Sequence, residues 1–431
     1  MTDLPKDWDD VAIGDFGEIV GGGTPSRATL SFWDGTIPWV TPTEITALQG
    51  KYVCDTKEKI TADGLAGSAA KLLPVGSIVV TTRASLGMVA IAALPLTTNQ
   101  GFKSIIPNEN TDSLFAYYRI QTLKSEMVRL ASGTTFLEIS KADFSRIRTC
   151  RPKPPEQSCI AAVLDTVDEA IAKTEAVIAK LRQVRAGLIH DLLTLGLDKN
   201  GELRDPIAHP EQFQNSPLGQ ISKDWTTPML ANLCSHIGSG VTPRGGQDVY
   251  TSTGIMLIRS QNVTFEGLLL DDVAFVSEEI HLGMLRSEVF AHDVLFNITG
   301  ASIGRCCPMP EGLGTANVNQ HVCALRVPKA TAADAKYLAS LLASPIGQRQ
   351  MDSLLTVGNR QGLNYQQLGS FIIPWPKEDE RNAISLQIHA IEDQICAEEK
   401  EHGKLRLLKS GLMTDLLTGR VRVPEDGKGT K

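Results

Sequence analysis

The chain has 431 residues, and its 42 Lys and Arg against 49 Asp and Glu leave a net charge of −7. That length exceeds what one hydrophobic core organises, so two or more domains are expected. Its 42% apolar and 21% charged residues exclude a disordered or fibrous chain, and the acidic balance shows no basic domain of the kind that marks most nucleic-acid binders.

The first region, residues 1–155, reads as mixed strands and helix. It opens on Lys6-Asp7-Trp8 and makes a glycine turn at Gly21-Gly22-Gly23-Thr24-Pro25. A short strand is expected over Ile37–Val40 and a stronger one over Ser77–Thr82. The Ala84-Ser85-Leu86-Gly87 turn joins the latter to Met88–Ala92 as a hairpin. Asn99-Gln100-Gly101 precedes another strand. Ser113–Ala131 carries a helical apolar face, and Gly133 ends it.

Pro152, Pro154 and Pro155 then admit a long helix over residues 156–197. Its core positions are Ile160, Leu164, Val167, Ile171, Thr174, Ile178, Leu181, Arg185, Leu188 and Leu192, in steps of four and three. That is a heptad pattern over more than four repeats. About 40 helical residues span about 60 Å. Residues 198–222, rich in Asp, Pro, Asn and Gly, read as a linker.

Everything then happens again. Lys223-Asp224-Trp225 restarts the chain as Lys6-Asp7-Trp8 began it, opening a second region over 223–376. Gly238-Ser239-Gly240-Val241-Thr242-Pro243 answers the glycine turn. DVLFNITGASIG (Asp293–Gly304) answers GSIVVTTRASLG (Gly76–Gly87) at the offset set by the two Lys-Asp-Trp starts, and Asn319-Gln320 answers Asn99-Gln100. A second long helix over 377–419 carries Ile384, Ile388, Ile391, Ile395, Leu405, Leu412 and Leu416. Each stands as far from its partner in the first helix as Lys404 stands from Lys180. Glu398, His402 and Lys409 fill the remaining slots. KLRQVRAGLIHDLLT (Lys180–Thr194) and KLRLLKSGLMTDLLT (Lys404–Thr418) are identical at nine of fifteen positions. A repeat of this size decides the fold before any single element does. The tail, 420–431, is polar and expected to fray.

The expected fold class is α+β: two mixed α/β recognition domains separated by two long coiled-coil helices, with an internal pseudo-two-fold repeat. Neither helix can leave its stripe in water, so an antiparallel pair that buries both stripes is expected.

Catalytic motifs are missing. No phosphate-binding loop, HExxH or zinc-spaced Cys/His cluster occurs. The glycines at 17–23 run into Pro25 with no helix behind them, so they read as a structural turn. The eight cysteines form no CxxC pair and read as reduced thiols of a cytosolic protein, Cys306-Cys307 as a strand with one buried thiol. No cofactor, metal, signal peptide or membrane span is expected.

The plan resembles the specificity subunit of type I restriction-modification systems. Several features carry the resemblance across essentially the whole chain: Asn215-Ser216-Pro217-Leu218-Gly219 leading to Trp225, the paired Thr-Pro turns, Ala84–Gly87 with Ala301–Gly304, and the two KLR…GL…DLLT helix ends. The resemblance implies that the two globules are target recognition domains. Each would read one half of a bipartite sequence in double-stranded DNA. The helices would set the gap and dock methyltransferase subunits, two from the duplication, with restriction-translocase subunits completing a cytoplasmic complex. Catalysis would belong to those partners. Inserting one heptad, about 10 Å of helix, is then expected to lengthen the DNA spacer by about three base pairs.

Charge bears on how such reading would work. Residues 1–155 hold sixteen Lys/Arg and sixteen Asp/Glu, and residues 223–376 hold ten and twelve. Weak binding by this chain alone is expected, with a few side chains reading bases. The candidates are Thr24, Arg27, Arg83, Lys103, Thr134 and Thr135 in the first domain. In the second they are Thr242, Arg244, Arg259, Gln261, Asn262, Arg305, Asn359 and Arg360. The repeated Asn-Gln pairs read as structural. Leu181, Leu188, Leu192, Leu405, Leu412 and Leu416 are expected in the helix seam that partner docking depends on. A stand-alone bipartite DNA-binding regulator and a coiled-coil adaptor are the rival readings.

Overall fold

A computed structural model describes residues 4–133, 137–357 and 362–423. The chain divides into two units: residues 1–175 with 400–431, and residues 176–399. Each unit therefore takes half of each long helix. The helices run Pro154–Thr194 and Glu378–Leu416.

The first unit is built on two larger sheets, beside an antiparallel pair of Asp9–Ala12 with Arg148–Arg151. A five-stranded sheet has the order Gly17–Gly21, Lys103–Pro107, Ile78–Val80, Val89–Ala92, Tyr52–Val53. A three-stranded sheet has the order Glu58–Ile60, Trp33–Val40, Thr97–Thr98. The expected hairpin is there: Ile78–Val80 pairs antiparallel with Val89–Ala92. Ala84 (φ 61°) and Gly87 (φ 78°) make its turn. Ile78, Val79 and Val80 are all buried, so this strand is covered on both faces, which is why its apolar residues run on without alternation.

The second unit repeats the plan with the same neighbours. His236–Ser239, Val322–Arg326, Val294–Asn297 and Cys306–Pro308 form one sheet in that order. Ala274–Val276, Ile255–Ile258, Ala316–Val318 and Glu288–Val289 form the other. The units differ at an edge. The first adds Tyr52–Val53 to its larger sheet, and the second adds Glu288–Val289 to its other sheet. The Ser113–Ala131 helix of the sequence is two helices, Ser113–Gln121 and Lys124–Leu130. At the break the Thr122 hydroxyl donates to the Arg119 carbonyl at 2.7 Å, offering the backbone an alternative partner.

The heptad register holds. Ile160, Leu164, Val167, Ile178, Leu192, Ile384, Ile388, Ile395 and Leu416 are buried, and the other heptad positions of both helices are half-buried. The helices run antiparallel within each unit. In the first, Lys409 meets Asp168 at 2.6 Å and His402 meets Glu175 at 2.9 Å. In the second, Arg185 meets Glu392 at 2.7 Å and Arg182 meets Glu399 at 2.6 Å. One number rises as the other falls. Asp168 and Glu392 hold equivalent places in the two helices, as do Arg185 and Lys409. The same ion pair thus occurs twice.

Each unit is closed by a carboxylate at a helix start and an arginine beyond a helix end. Glu156, 3% exposed, accepts from the Trp8 indole at 3.0 Å and from Arg422 at 2.6 and 2.9 Å. Arg422 also binds Asp7, at 2.9 and 2.6 Å. The tail was expected to fray from Arg420, but this two-carboxylate clasp holds the chain at Arg422. In the second unit Glu380 accepts from Arg204 at 2.5 and 3.2 Å and from the Leu197 amide at 2.9 Å. Trp225 is buried there, with its indole N–H unpartnered among the described residues. Residues 198–222, expected as a bare linker, hold a hairpin of Phe213–Ser216 with Gly219–Ser222. Phe213 and Ile221 are buried, which ties it to the second unit.

Candidate DNA interface

The duplicated turns meet in each unit. The glycine turn of the first unit packs directly on the Asn99-Gln100 turn: a Cβ at Gly22 would lie 1.9 Å from the Asn99 carbonyl oxygen. Gly240 is as close, 1.6 Å from the Val318 oxygen. Only glycine allows this approach. It brings Thr24 to Gln100 and Thr242 to Gln320, with each threonine hydroxyl donating to the glutamine side-chain oxygen. Asn99 and Asn319 turn inward. Their side-chain oxygens accept from the amides of Gly101 at 2.8 Å and His321 at 3.1 Å.

Around this joint the first unit carries three cations. The Arg27 guanidinium lies 3.7 Å from the Trp33 ring centre and 5.2 Å from that of Trp39. It is paired with Glu58, with one contact at 2.9 Å, and that bonding holds the Glu58 carboxyl below its ordinary range. Arg83 and Lys103 share Glu138, at 3.7 and 3.5 Å. Lys103 is only 13% exposed, so it balances charge under the surface. Thr134 and Thr135 lie outside the described residues.

The second unit differs. Arg259 is largely enclosed and donates to Asp272, at 2.6 Å to its carbonyl and 3.3 Å to its carboxylate. Gln261 donates to the same carboxylate at 2.5 Å. Asn262 is buried, donating to the Leu269 and Asp272 carbonyls at 2.9 and 3.2 Å and accepting from the Arg259 amide at 2.9 Å. It holds the loop together. Arg244 and Arg305 are exposed, with no guanidinium partner among the described residues. Among the candidate residues they are the cations most open to a phosphate. Asn359 and Arg360 lie outside the described residues. The sequence candidates omitted Gln100, Gln320 and His321. For Gln100 and Gln320 the signal was in the repeat, as exposed polar residues beside a duplicated turn; His321 is half-buried and has Gly101 in its place in the first unit.

Most thiols are closed off. Desolvation pushes Cys234, Cys307 and Cys323 up to about 12, and Cys306 higher still. Cys54 and Cys396 are exposed. Since the thiolate is the nucleophile, brief alkylation of the native chain is expected to label Cys54 and Cys396 and spare Cys306, Cys307 and Cys323. Peptide mass mapping reads the result. Rapid labelling at Cys306 or Cys307 would refute the burial. Among the described residues no His/Cys/Asp/Glu group is placed to hold a metal, and no helix is long and apolar enough to cross a membrane.

Comparison with known proteins places this architecture. Residues 5–183 match the model of the type I restriction modification DNA specificity domain. The specificity subunit of the type I restriction enzyme MjaIX, from Methanocaldococcus jannaschii, is 30% identical over 279 residues, 64% of this chain and 62% of that protein. The chain thus matches somewhat less than two thirds of that relative's length. The MjaVIII specificity subunit of the same organism is 22% identical over 424 residues, 97% of this chain and 94% of that protein. The crystal structure of a type I restriction-modification S subunit from M. genitalium superposes with a TM-score of 0.58 at 16% identity, covering 97% of each chain. Over residues 5–183 the sequence matches that DNA specificity domain, and the chain as a whole resembles the specificity subunits of type I restriction-modification systems.

Proposed function

We propose that the chain is the sequence-specific DNA-recognition subunit of a type I restriction-modification complex. Each unit reads one half of a bipartite target, and the paired helices set the spacing and dock the methyltransferase subunits. One observation carries the reading: the scaffold is duplicated, while around the shared Thr-Gln joint the two rims differ. The sheets keep their strand order, and one helix ion pair occurs twice. Against that, Arg27 stacks on two tryptophans in one unit, while Arg259 and Gln261 gather on Asp272 in the other. A common frame with two different rims suits an asymmetric split site. Direct base contact falls to Thr24, Arg27 and Arg83 in the first unit and to Thr242, Arg244 and Arg305 in the second. Catalysis resides in the partners: two methyltransferase subunits, with restriction-translocase subunits completing a cytoplasmic assembly.

The near-balanced charge of the two regions predicts weak, salt-sensitive binding by the isolated chain, with partners supplying most phosphate neutralisation. The test is reconstitution with methyltransferase subunits, followed by sequencing of methylated DNA. One bipartite sequence is expected, and one added heptad in both helices should lengthen its spacer by about three base pairs. Tight binding by the isolated chain in a gel shift would point to a stand-alone regulator. A complex that selects no site would leave an adaptor.

A further inference from the structure

The duplicated Thr-Gln joint differs between the units in a reciprocal way. Arg83 stands beside the first joint, and its counterpart in the matching segment of the second unit is Gly300. Gly101 follows Gln100, while His321 follows Gln320. The second unit has thus lost a cation from one loop and gained an imidazole on the other. That imidazole is fully engaged. Its Nε2 lies 2.9 Å from the Gln320 side-chain nitrogen, and its Nδ1 lies 2.5 Å from the Thr299 hydroxyl. An amide N–H can only donate, so Nε2 accepts, and the ring proton sits on Nδ1 and goes to Thr299. The result is a chain of hydrogen bonds: Thr242 to Gln320, Gln320 to His321, His321 to Thr299. Gln320 is held at both ends. In the first unit Gln100 is held by Thr24 at its oxygen, and its nitrogen has no partner among the described residues.

An amide held at both ends keeps one N–H and one oxygen lone pair for a ligand. Gln320 is exposed, so both are available. A donor and an acceptor side by side match the N7 and N6 edge of adenine in the major groove, the pairing that Gln and Asn favour. We propose that His321 is a positioning residue for base recognition: it fixes the amide of Gln320, which reads one adenine of the second half-site. This rests on the DNA-recognition reading above. A free amide can rotate to suit other base edges, whereas a fixed one discriminates.

The test uses the reconstituted complex with methyltransferase subunits and a randomised DNA library, read as the methylated motif. Gln320→Ala and His321→Ala should relax the same single position of the second half-site, with about a tenfold loss of its adenine preference. The first half-site and the spacer should stay as they are. His321→Gln, whose longer side chain can set its amide oxygen in the place of Nε2 and accept from Gln320, should keep most of the preference. A His321→Ala motif identical to wild type overturns the proposal. So does a relaxed position that is not adenine, equal relaxation of both half-sites, or an H321Q loss as large as that of H321A. A wild-type complex that methylates no bipartite site would remove the recognition reading itself, which is a separate outcome.

Discussion

Replacing Glu380 with alanine is expected to destabilise the second unit by about 3 kcal/mol, within the range for breaking a buried ion pair from one side. Glu380 and Arg204 have side chains 12% and 9% exposed. The carboxylate takes two N–H groups from Arg204 and the Leu197 amide. Its removal leaves the guanidinium desolvated, with the Leu195 carbonyl at 3.3 Å as its one remaining hydrogen-bond partner among the described residues. For a unit of this size each kcal/mol lowers the transition by about 2–4 °C, so a shift of about 10 °C is expected in a thermal melt. The equivalent change in the first unit should cost less. Arg422 is 42% exposed and retains Asp7, so it can turn to solvent. For Glu156→Ala we expect about 1–2 kcal/mol, mostly from the orphaned Trp8 indole. The double variant Glu380→Ala/Arg204→Ala should recover part of the loss, because no buried charge is then left unpaired. Equal losses at Glu156 and Glu380, or no recovery in the double variant, would refute this account.

The two clasps also show what the sequence could and could not reveal. Glu156 and Glu380 hold equivalent places in the repeat and could be matched. Their arginines could not. Arg204 lies well past Thr194, while Arg422 follows Thr418 closely, so no shared spacing links them. The same holds for the lysines that serve the helix acids: Lys51 reaches Asp165 and Asp168, whereas Lys336 reaches Glu392 from an unrelated position. Periodicity exposes what is local and repeated, and the heptad helices and their antiparallel pairing were legible for that reason. Long-range polar closure has no period. The recognition rim was partly legible, because glycine turns and Asn-Gln pairs recur. Which polar residues were buried was not. Asn262 and Lys103 read as surface candidates and turned out to be enclosed, since burial there depends on loops from distant parts of the chain.

Leu192→Ala is the other large expected effect, and it separates the seam from the docking surface. Leu192 and Leu416 are buried, each packed in the core of its unit. Truncating either should cost about 3 kcal/mol, the transfer loss plus the cavity left behind. Leu181, Leu188, Leu405 and Leu412 are half-buried, and alanine there should cost about 1 kcal/mol. Denaturant unfolding of the isolated chain measures both sets; equal costs would contradict the burial. The consequence is practical. A polar residue at Leu192 or Leu416 would abolish assembly by unfolding the unit, so it says nothing about where a partner binds. That question belongs to apolar residues the helices leave in solvent: Val177, Val184, Leu386 at 70% exposed, Leu407 at 76% and Leu408 at 51%. They lie off the heptad seam. Aspartate at Leu407 and Leu408 should change stability by no more than about 0.5 kcal/mol. If this face carries the methyltransferase contact, the same change should abolish co-purification of that subunit, and undiminished capture would move the docking site elsewhere.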